Sequence, residues 1–452
     1  MPVVSNGAGA CESVYSIPMI YFQSGSETAD LSSSDLRAGL FEALDRLGPR
    51  KRVLAIPPDF TRFPSRSGEL TKGAYDYYGS ALRDILPALG THEAMTAVQI
   101  ETMFPGVPPE LFRVHDWRGG VKTIGTLNAA LVSDLSGGVA AFDWPVQLDR
   151  LIVEGGHDLI LSIGQVVPHE VMGMANYTKN LFVGCGGPES INKSHYIGAL
   201  CGLENLMGVA DTPPRRLLNH AWKAFASQLP VLWVQTVVAQ DEKGALATRG
   251  LFISDDEEAF RLAADLSSRV NCTRLEEPIG KAVVYLDPSE FKSTWVGNKA
   301  IYRTRMALAD GAELLVLAPG VSCFGEDHAF DDLIRKYGYR GTEATLAAVA
   351  EHEDLASSLA VAAHLIHGSS EGRFRITYCP GHLSKRDVES VGFGFRDLGE
   401  AMKAYDPGLL REGWNKLASG ERIFFISNPA LGLWASPRVT HAAEGQRGRG
   451  VS

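Results

Sequence analysis

Short apolar runs alternate with stretches of helical periodicity along most of this chain, and this alternation constrains the fold more than any other feature. Segments 51–59, 93–102 and 157–167 have the composition of buried strands, and segment 68–89 has the periodicity of a helix. The resulting β-α-β order predicts an α/β protein in which a parallel or mixed sheet is flanked by helices.

A second run of the same kind begins near residue 275. Its strand, helix and strand are predicted over 280–287, 295–311 and 312–320. Because 452 residues exceed what one ordinary core holds, we predict two α/β domains with the active site in the cleft between them. The first spans 13–274 and is completed by the segment 400–435, which includes a strand over 421–435. Residues 275–399 form the smaller second domain.

The composition is that of an ordinary globular protein, with 45% hydrophobic and 21% charged residues. The formal net charge of −10 argues against a nucleic-acid partner, because such a partner needs a basic face. No run of 18 apolar residues is present, so we expect no membrane span and no membrane partner.

The cysteines and the two ends of the chain bear on localisation and order. Six scattered cysteines without a C-x-x-C pair indicate a reduced, cytoplasmic protein. The first residues lack a basic region followed by an apolar run, so we expect no signal peptide. The first dozen residues and the tail 436–452 lack hydrophobic periodicity and are predicted to be disordered.

Polar segments follow the predicted strands, where ligands bind in sheets of this class. Asp59, Thr61 and Arg62 form one such polar cluster. An arginine in this position is suited to bind a carboxylate or phosphate through two parallel hydrogen bonds. The alternative is an Asx-turn beside a surface arginine, and the sequence leaves both open.

Segment 168–195 contains two histidines, His169 and His195, with Lys179 between them. A zinc hydrolase is disfavoured, because no H-E-x-x-H motif or third ligand at conventional spacing is present. His169 is suited to act as a general base, since the ordinary pKa of histidine lies near 6.5. The alternative, which is the commoner case for a lone histidine, is that both are partly buried side chains that hydrogen-bond the backbone.

Lys179 borders the apolar residues LFVG, so burial is expected to lower its pKa and make the amine nucleophilic. Gly184, Gly186 and Gly187 follow, and such a turn lets backbone N–H groups approach a phosphate. The alternatives are a solvated lysine and glycines that serve backbone geometry alone.

The second predicted domain concentrates positive charge in Lys299, Arg303 and Arg305. Lys299 and Arg303 lie one helical turn apart and share a face. Such pairs are commonly solvated, but in a net-acidic chain a basic spot of this kind also suits an anionic ligand.

Together these segments resemble the lactate racemase family, the nickel-pincer-nucleotide-dependent 2-hydroxyacid racemases and epimerases. Residues 59–62 match the start of the family's Asp-x-Thr-Arg-Pro motif. His169, Lys179 and His195 keep the spacing of its His-Lys-His series, and Lys299 matches its second-domain lysine. The resemblance spans most of the chain.

The resemblance implies a site for a pyridinium mononucleotide that is bound covalently to Lys179 through a thioamide. His195 would be the protein ligand to nickel, whose other ligands come from the cofactor. The residues expected to complete the cofactor site are Asp59, Gly184, Gly186 and Gly187. Enzymes of cofactor synthesis are the implied protein partners.

The resemblance also implies how a small carboxylate substrate is bound. Arg62 and Lys299 would bind the carboxylate, and His169 would take the proton of the substrate hydroxyl while hydride moves from carbon to cofactor. Return of the hydride to the opposite face inverts the carbon. The cofactor supplies the difficult chemistry, and the protein orients the reactants.

The chain departs from the family pattern at its second acid/base histidine, which lies in a His-Arg-Pro-x-Thr-x-Glu-Glu-Leu loop. Alignment on Glu110 and Leu111 places Met103 there, and methionine transfers no protons. Glu101 is the nearest titratable residue and is the candidate substitute. The alternative is that Glu101 is an ordinary strand-end carboxylate.

Two further departures favour a substrate bulkier than lactate, such as a sugar acid. The family's Ser-Gly-Gly-Arg before the lysine is residues 175–178 here (ANYT), and its glutamine near the second-domain lysine is Val296. The leading hypothesis is an isomerase that inverts the hydroxyl-bearing carbon beside a carboxylate. The alternatives are a non-inverting redox homologue and a non-catalytic protein that binds the cofactor or a nucleotide.

Overall fold

The structure is a computed structural model that describes residues 19–240 and 245–437. It contains two six-stranded sheets covered by helices, which confirms the predicted α/β class. The disorder predicted for the first dozen residues, and for the tail from residue 438 onward, lies outside the described residues. Within the described ranges, no helix combines the length and apolar character needed to cross a membrane.

The first sheet is mixed. In spatial order its strands are Ile20–Gly25, Leu246–Ser254, Val231–Gln240, Leu159–Gln165, Val53–Ile56 and Leu82–Ile85. The last four run parallel to one another, and the first two are antiparallel additions. Leu54 and Ile56 point into one apolar core, whereas Val53 and Ala55 point into another. Burial on both faces explains why these strands are continuous apolar runs.

The second sheet has the order Gly394–Phe395, Arg375–Pro380, Leu308–Ala318, Ile279–Tyr285, Arg422–Ile426 and Gly413–Lys416. All neighbours are parallel except the last pair, which is antiparallel. Val284 and Val316 face one core, and Val283 and Leu315 face the other. This sheet is therefore also buried on both sides.

Three two-stranded elements complete the strands. They pair Val121–Leu127 with Trp144–Asp149, Cys272–Arg274 with Leu433–Ala435, and Pro168–His169 with Gly173–Met174. The last is a buried hairpin that directly follows the strand Leu159–Gln165 and places His169 beyond the carboxyl end of that strand.

Helices pack over both sheets. In the first part of the chain they are Ser33–Leu47, Ser67–Tyr78, Ala97–Met103, Ala129–Ser136, Arg150–Glu154, Thr178–Phe182, Pro188–Leu200, Pro213–Ala221 and Glu258–Asn271. In the second part they are Thr294–Gly297, Lys299–Tyr302, His328–Tyr337, Thr342–Glu351, Glu353–Ala356, Leu359–His367, Lys385–Ser390 and Leu398–Ala404. A short 3-10 helix, Phe60–Ser65, carries Arg62.

The strand predicted over 93–102 is wrong, because this segment contains the helix Ala97–Met103. Thr96 begins the helix by accepting a hydrogen bond from the backbone N–H of Gln99, whose side chain binds back to Thr96. This capping box outweighs the apolar composition that suggested a strand. The helix predicted over 68–89 is right only in its first half.

That helix ends at Tyr78, and the strand Leu82–Ile85 follows. Gly79 has φ of 51°, a conformation that glycine adopts readily and that terminates the helix. In the second sheet, the helix predicted over 295–311 is two short helices followed by a strand that begins at Leu308.

The strand predicted over 421–435 was expected to return to the first domain. Instead, Arg422–Ile426 pairs in parallel with Ile279–Tyr285 in the second sheet. The final short strand Leu433–Ala435 pairs with Cys272–Arg274, at the junction of the two parts. This end of the chain therefore completes the second sheet, and the domain boundaries themselves stay a prediction.

Candidate functional site

Three neighbouring parallel strands of the first sheet deliver polar residues to one edge. Arg62 follows Val53–Ile56, His169 follows Leu159–Gln165, and the next strand leads to a loop that contains His92. Because the carboxyl ends of parallel strands meet at one edge, these side chains converge there.

Five residues singled out by the sequence interact electrostatically in this place: Arg62, His169, Lys179, His195 and Lys299. Arg62 is central to the cluster, because its positive charge lowers the pKa values of His169, Lys179 and Lys299. Lys299 comes from the second sheet's part of the chain, so the cluster is built from both parts.

The three cations of the cluster have no acceptor within the described ranges of the chain. No hydrogen bond or ion pair engages the side-chain nitrogens of Arg62, Lys179 or Lys299, although Lys299 Nζ lies 5.6 Å from the Phe291 ring centroid. Partly buried cations are ordinarily paired. Their arrangement therefore suits an anionic ligand or a covalently attached group.

Lys179 lies in the first turn of the helix Thr178–Phe182. Burial lowers its pKa to about 8, and the positive charge of Arg62 acts in the same direction. This agrees with the expectation drawn from the apolar residues that follow it. Near neutral pH the amine is therefore deprotonated far more often than that of an exposed lysine, and only the neutral amine is nucleophilic.

The turn before Lys179 has an unusual backbone. Asn176 and Tyr177 have φ values of 65° and 56°, where residues other than glycine are strained. The resembled family has glycines at these two positions. Here packing offsets the strain, since the Tyr177 ring stacks on Phe260 at 5.1 Å between centroids and lies 4.5 Å from Trp233.

His195 lies within the helix Pro188–Leu200 and has the tautomer of a metal ligand. Its Nδ1–H donates to the Ile191 carbonyl at 2.8 Å, which leaves the lone pair on Nε2. Burial lowers its pKa to about 4, so the ring is neutral near pH 7. Within 19–240 and 245–437, no three His, Cys, Asp or Glu side chains converge on a possible metal position. His195 would therefore hold a metal only with ligands from a bound group.

His169 has the opposite tautomer. The Val171 backbone N–H donates to its Nδ1 at 3.1 Å, so the neutral ring carries its proton on Nε2. Burial holds the pKa of His169 well below its ordinary value, although the charge of Glu170 opposes this shift. In this state His169 is a hydrogen-bond donor rather than a proton acceptor at Nε2.

His92 was not singled out by the sequence and is brought to the cluster by the structure. Its Nδ1 lies 2.6 Å from Asp59 Oδ2, and the other oxygen of Asp59 accepts from Thr61 Oγ1 at 2.6 Å. Although burial disfavours the charged ring, the Asp59 carboxylate raises the pKa of His92 above its ordinary value. Arg62 also interacts with His92. Asp59, predicted to bind the cofactor, thus uses both oxygens to fix this loop.

The tautomer that Asp59 imposes on His92 is that of a general base. With the proton on Nδ1, the lone pair is on Nε2, for which the described part of the chain provides no hydrogen-bond partner. The imidazole is 39% exposed, so a ligand reaches it. This carboxylate-imidazole pair is an acid/base group at the edge of the cluster.

A sequence signal for His92 existed. Residues His92 to Thr96 keep the histidine and threonine of the family's His-Arg-Pro-x-Thr loop, with both in register. This alignment is an alternative to the one on Glu110 and Leu111, and it places a histidine at the cluster. Met103, which the alignment on Glu110 and Leu111 selects, is 3% exposed and packs in the apolar core beneath the first sheet.

Glu101, the predicted substitute acid/base, is exposed on the helix Ala97–Met103. Among the interactions of the described residues, none joins Glu101 to Arg62, His169 or Lys179. The structure therefore gives Glu101 no place in the cluster, because its helix directs Met103 inward and leaves Glu101 in solvent.

Glu170 is a second residue whose importance the sequence did not indicate. Its carboxylate interacts with Arg62, Lys299 and Arg303, and so supplies negative charge at the centre of the cations. Arg303 is 1% exposed, contrary to a solvated helix face. Arg305 is also buried but forms an ion pair of 2.7 Å with Glu204, away from the ligand-facing cations.

Close packing explains the glycines at 184, 186 and 187. A Cβ on Gly184 would lie 2.4 Å from the Asn180 carbonyl oxygen, and one on Gly186 would lie 2.0 Å from that of Phe182. One on Gly187 would lie 2.4 Å from Gln147 Oε1. Any side chain would displace these neighbours, so a phosphate is not needed to explain the glycines and their phosphate-binding role stays a prediction.

Solved structures with a similar fold are found for this chain. No family model and no curated protein matches the chain. A crystal structure of a Thermotoga maritima protein is 22% identical, with 91% of this chain and 100% of that chain covered and a TM-score of 0.78. The lactate racemase apoprotein of Thermoanaerobacterium thermosaccharolyticum is 17% identical, with 90% and 93% covered and a TM-score of 0.67. The chain therefore has the fold of that racemase.

Proposed function

We propose that this protein is a racemase or epimerase that inverts a hydroxyl-bearing carbon next to a carboxylate. The observation that carries the proposal is the cluster itself. A lysine with a pKa of about 8 lies among cations that have no ion-pair partner in the described part of the chain. It interacts with a neutral histidine whose Nδ1, not Nε2, makes the hydrogen bond to the backbone. The shared fold with a lactate racemase supports the same reading but does not by itself establish an activity.

The residues fit a nickel-pincer nucleotide as cofactor. Lys179 has the burial and the lowered pKa of an amine that forms a covalent bond, and the neutral Nε2 of His195 would hold the metal. The chemistry that such a group supplies when bound is reversible acceptance of hydride from the substrate carbon. Synthesis of the cofactor by other enzymes is part of the proposal.

Arg62 and Lys299 bind the substrate carboxylate in this proposal. Neither has another acceptor within the described residues, and they approach from the two parts of the chain. Arginine contributes a planar pair of donors and lysine a point charge. Together they orient the carbon that carries the hydroxyl.

His92 and His169 transfer the hydroxyl proton on the two faces of the substrate. His92 accepts a proton at Nε2 directly, because Asp59 holds its Nδ1–H. His169 accepts one at Nε2 only after its own proton moves to Nδ1, which breaks the hydrogen bond from Val171. The alternative of a non-inverting homologue was based on Met103 at the position of the second acid/base histidine. With His92 as the second acid/base, this proposal no longer needs that alternative.

The substrate proposed is a 2-hydroxy acid bulkier than lactate, such as a sugar acid. The support is Val296, which is half-buried one turn before Lys299 where the family has a glutamine. The apolar Val296 removes a donor near the carboxylate without filling the space of a glutamine.

The experiment is turnover in deuterated water by protein that has been co-expressed with the cofactor-synthesis enzymes. A panel of 2-hydroxy and aldonic acids is tested as single stereoisomers. We expect inversion at C2 without solvent deuterium at that carbon, because the hydrogen returns as hydride. Rapid entry of deuterium at C2 would contradict hydride transfer, and failure to invert any acid would contradict the racemase assignment.

A further inference from the structure

Arg215 lies on the helix Pro213–Ala221 and is 1% exposed. Its Nη1 donates to the Asn176 carbonyl at 3.1 Å and to Thr178 Oγ1 at 2.9 Å, and its Nη2 donates to the Met174 carbonyl at 2.6 Å. No carboxylate of the described ranges lies within ion-pair distance of it. The charge of Glu257 acts on Arg215 only from beyond that distance. A buried arginine without a direct ion pair is costly, so its bonds to this one segment need an explanation.

The bonds of Arg215 bracket the strained turn. Two of its acceptors are backbone carbonyls at and before Asn176, and the third is the side chain of Thr178, which immediately precedes Lys179. The Thr178 hydroxyl also donates to Asn219 Oδ1 at 2.8 Å, one helical turn after Arg215. One helix face therefore holds both sides of the turn.

The ring of Phe260 ties the turn to the same arginine. The Arg215 guanidinium lies 4.6 Å from the Phe260 centroid, and Tyr177 stacks on that ring. Arg215 thus contacts both the backbone around Asn176 and Tyr177 and the ring on which Tyr177 stacks. Both residues have positive φ, where non-glycine residues are disfavoured. The planar guanidinium group of arginine donates to several separated acceptors at once, whereas the ammonium group of lysine does not.

We propose that Arg215 is a positioning residue that clamps the Asn176–Tyr177 turn and so presents the Lys179 amine for covalent attachment of the cofactor. This inference rests on the proposed role of Lys179. Arg215 itself touches neither cofactor nor substrate in this account. It acts through the backbone of residues 174–178, which determines where the first turn of the lysine's helix begins.

The test uses the full chain without cofactor and a small acylating reagent, N-acetoxysuccinimide, as the probe. Acetylation of Lys179 is measured at pH 8 by peptide mass spectrometry, relative to the exposed Lys122. Hydrogen exchange of peptides that cover 174–182 reports the turn independently. The variants are Arg215→Lys, which keeps the positive charge but not the planar set of donors, and Arg215→Met, which removes both. The matched control is Arg216→Met, since Arg216 is an exposed neighbour paired with Asp211.

We expect Arg215→Lys to lower the relative acetylation of Lys179 about tenfold and to speed exchange over 174–182. Arg216→Met should leave both unchanged. Adding Asn176→Gly to Arg215→Lys should restore acetylation to within about twofold, because glycine adopts positive φ without a clamp. The Asn176 amide makes no hydrogen bond within the described residues, so this change removes no side-chain bond.

The outcomes separate the two proposals. If wild-type Lys179 is no more reactive than Lys122, the proposed tether fails. If wild-type Lys179 is selectively acetylated and Arg215→Lys matches it, the positioning role is overturned. The same holds if Arg215→Lys lowers acetylation but Asn176→Gly does not restore it, since a general packing role would behave in that way. Should Arg215→Met not fold, the lysine variant alone decides.

Discussion

Replacement of His92 with asparagine is expected to lower racemisation about 10²–10⁴-fold, the usual contribution of a positioned proton acceptor. Asparagine keeps the approximate size of the ring but accepts no proton in this range of pH. The measurement is the initial rate from each stereoisomer with loaded protein. His352→Asn is the matched control, because His352 is exposed and takes part in none of the cluster's interactions among the described residues. Activity of His92→Asn at the wild-type rate would remove His92 from the mechanism.

The pH profile separates a catalytic role for His92 from a structural one. For the stereoisomer whose hydroxyl proton His92 accepts, His92 must be deprotonated. Because Asp59 raises the pKa of His92, the rate from that stereoisomer should rise with pH through a value above 6.5. In Asp59→Asn the negative charge is lost, and this inflection should move to lower pH as the maximal rate falls. An inflection that stays in place would contradict the proposed pair.

Replacement of His195 with alanine is expected to lower the nickel content while the covalent adduct on Lys179 remains, because the cofactor then supplies the only ligands. His195 is the sole protein ligand proposed, because its Nε2 carries the lone pair. Metal analysis and intact mass of the co-expressed protein measure the two properties separately. His352→Ala should retain both. Full nickel content in His195→Ala would contradict the role of His195 as a ligand that retains the metal.

The sequence predicted the sheet class because the central strands are buried on both faces. Val53–Ile56 and Leu159–Gln165 are continuous apolar runs for that reason. The helix Ala97–Met103 was missed because its capping box is a local hydrogen-bond pattern that outweighs composition. Because the segment was predicted as a strand, the loop before it, which contains His92, was not considered as part of the site.

The candidate site divides in the same way. His169, Lys179 and His195 were identified by their spacing in one segment, which sequence shows directly. The tautomers of the two histidines are not visible in sequence, because they depend on single backbone groups at Ile191 and Val171. Such contacts are fixed only when the chain folds.

Glu170 and Arg215 were missed for a related reason. The partners of Glu170 include Arg303, which is far away in sequence, and those of Arg215 are backbone carbonyls about 40 residues earlier. Neither residue belongs to a sequence motif from which its role could be predicted. Their roles come from the packing of one element on another.

The most direct test of this account is the intact mass and nickel content of the protein after co-expression with cofactor-synthesis enzymes. The account predicts an adduct with the mass of the pincer nucleotide on Lys179, with nickel in equal amount, and neither in Lys179→Arg. Unmodified Lys179 without nickel, in a preparation where an established lactate racemase is loaded alongside, would contradict it.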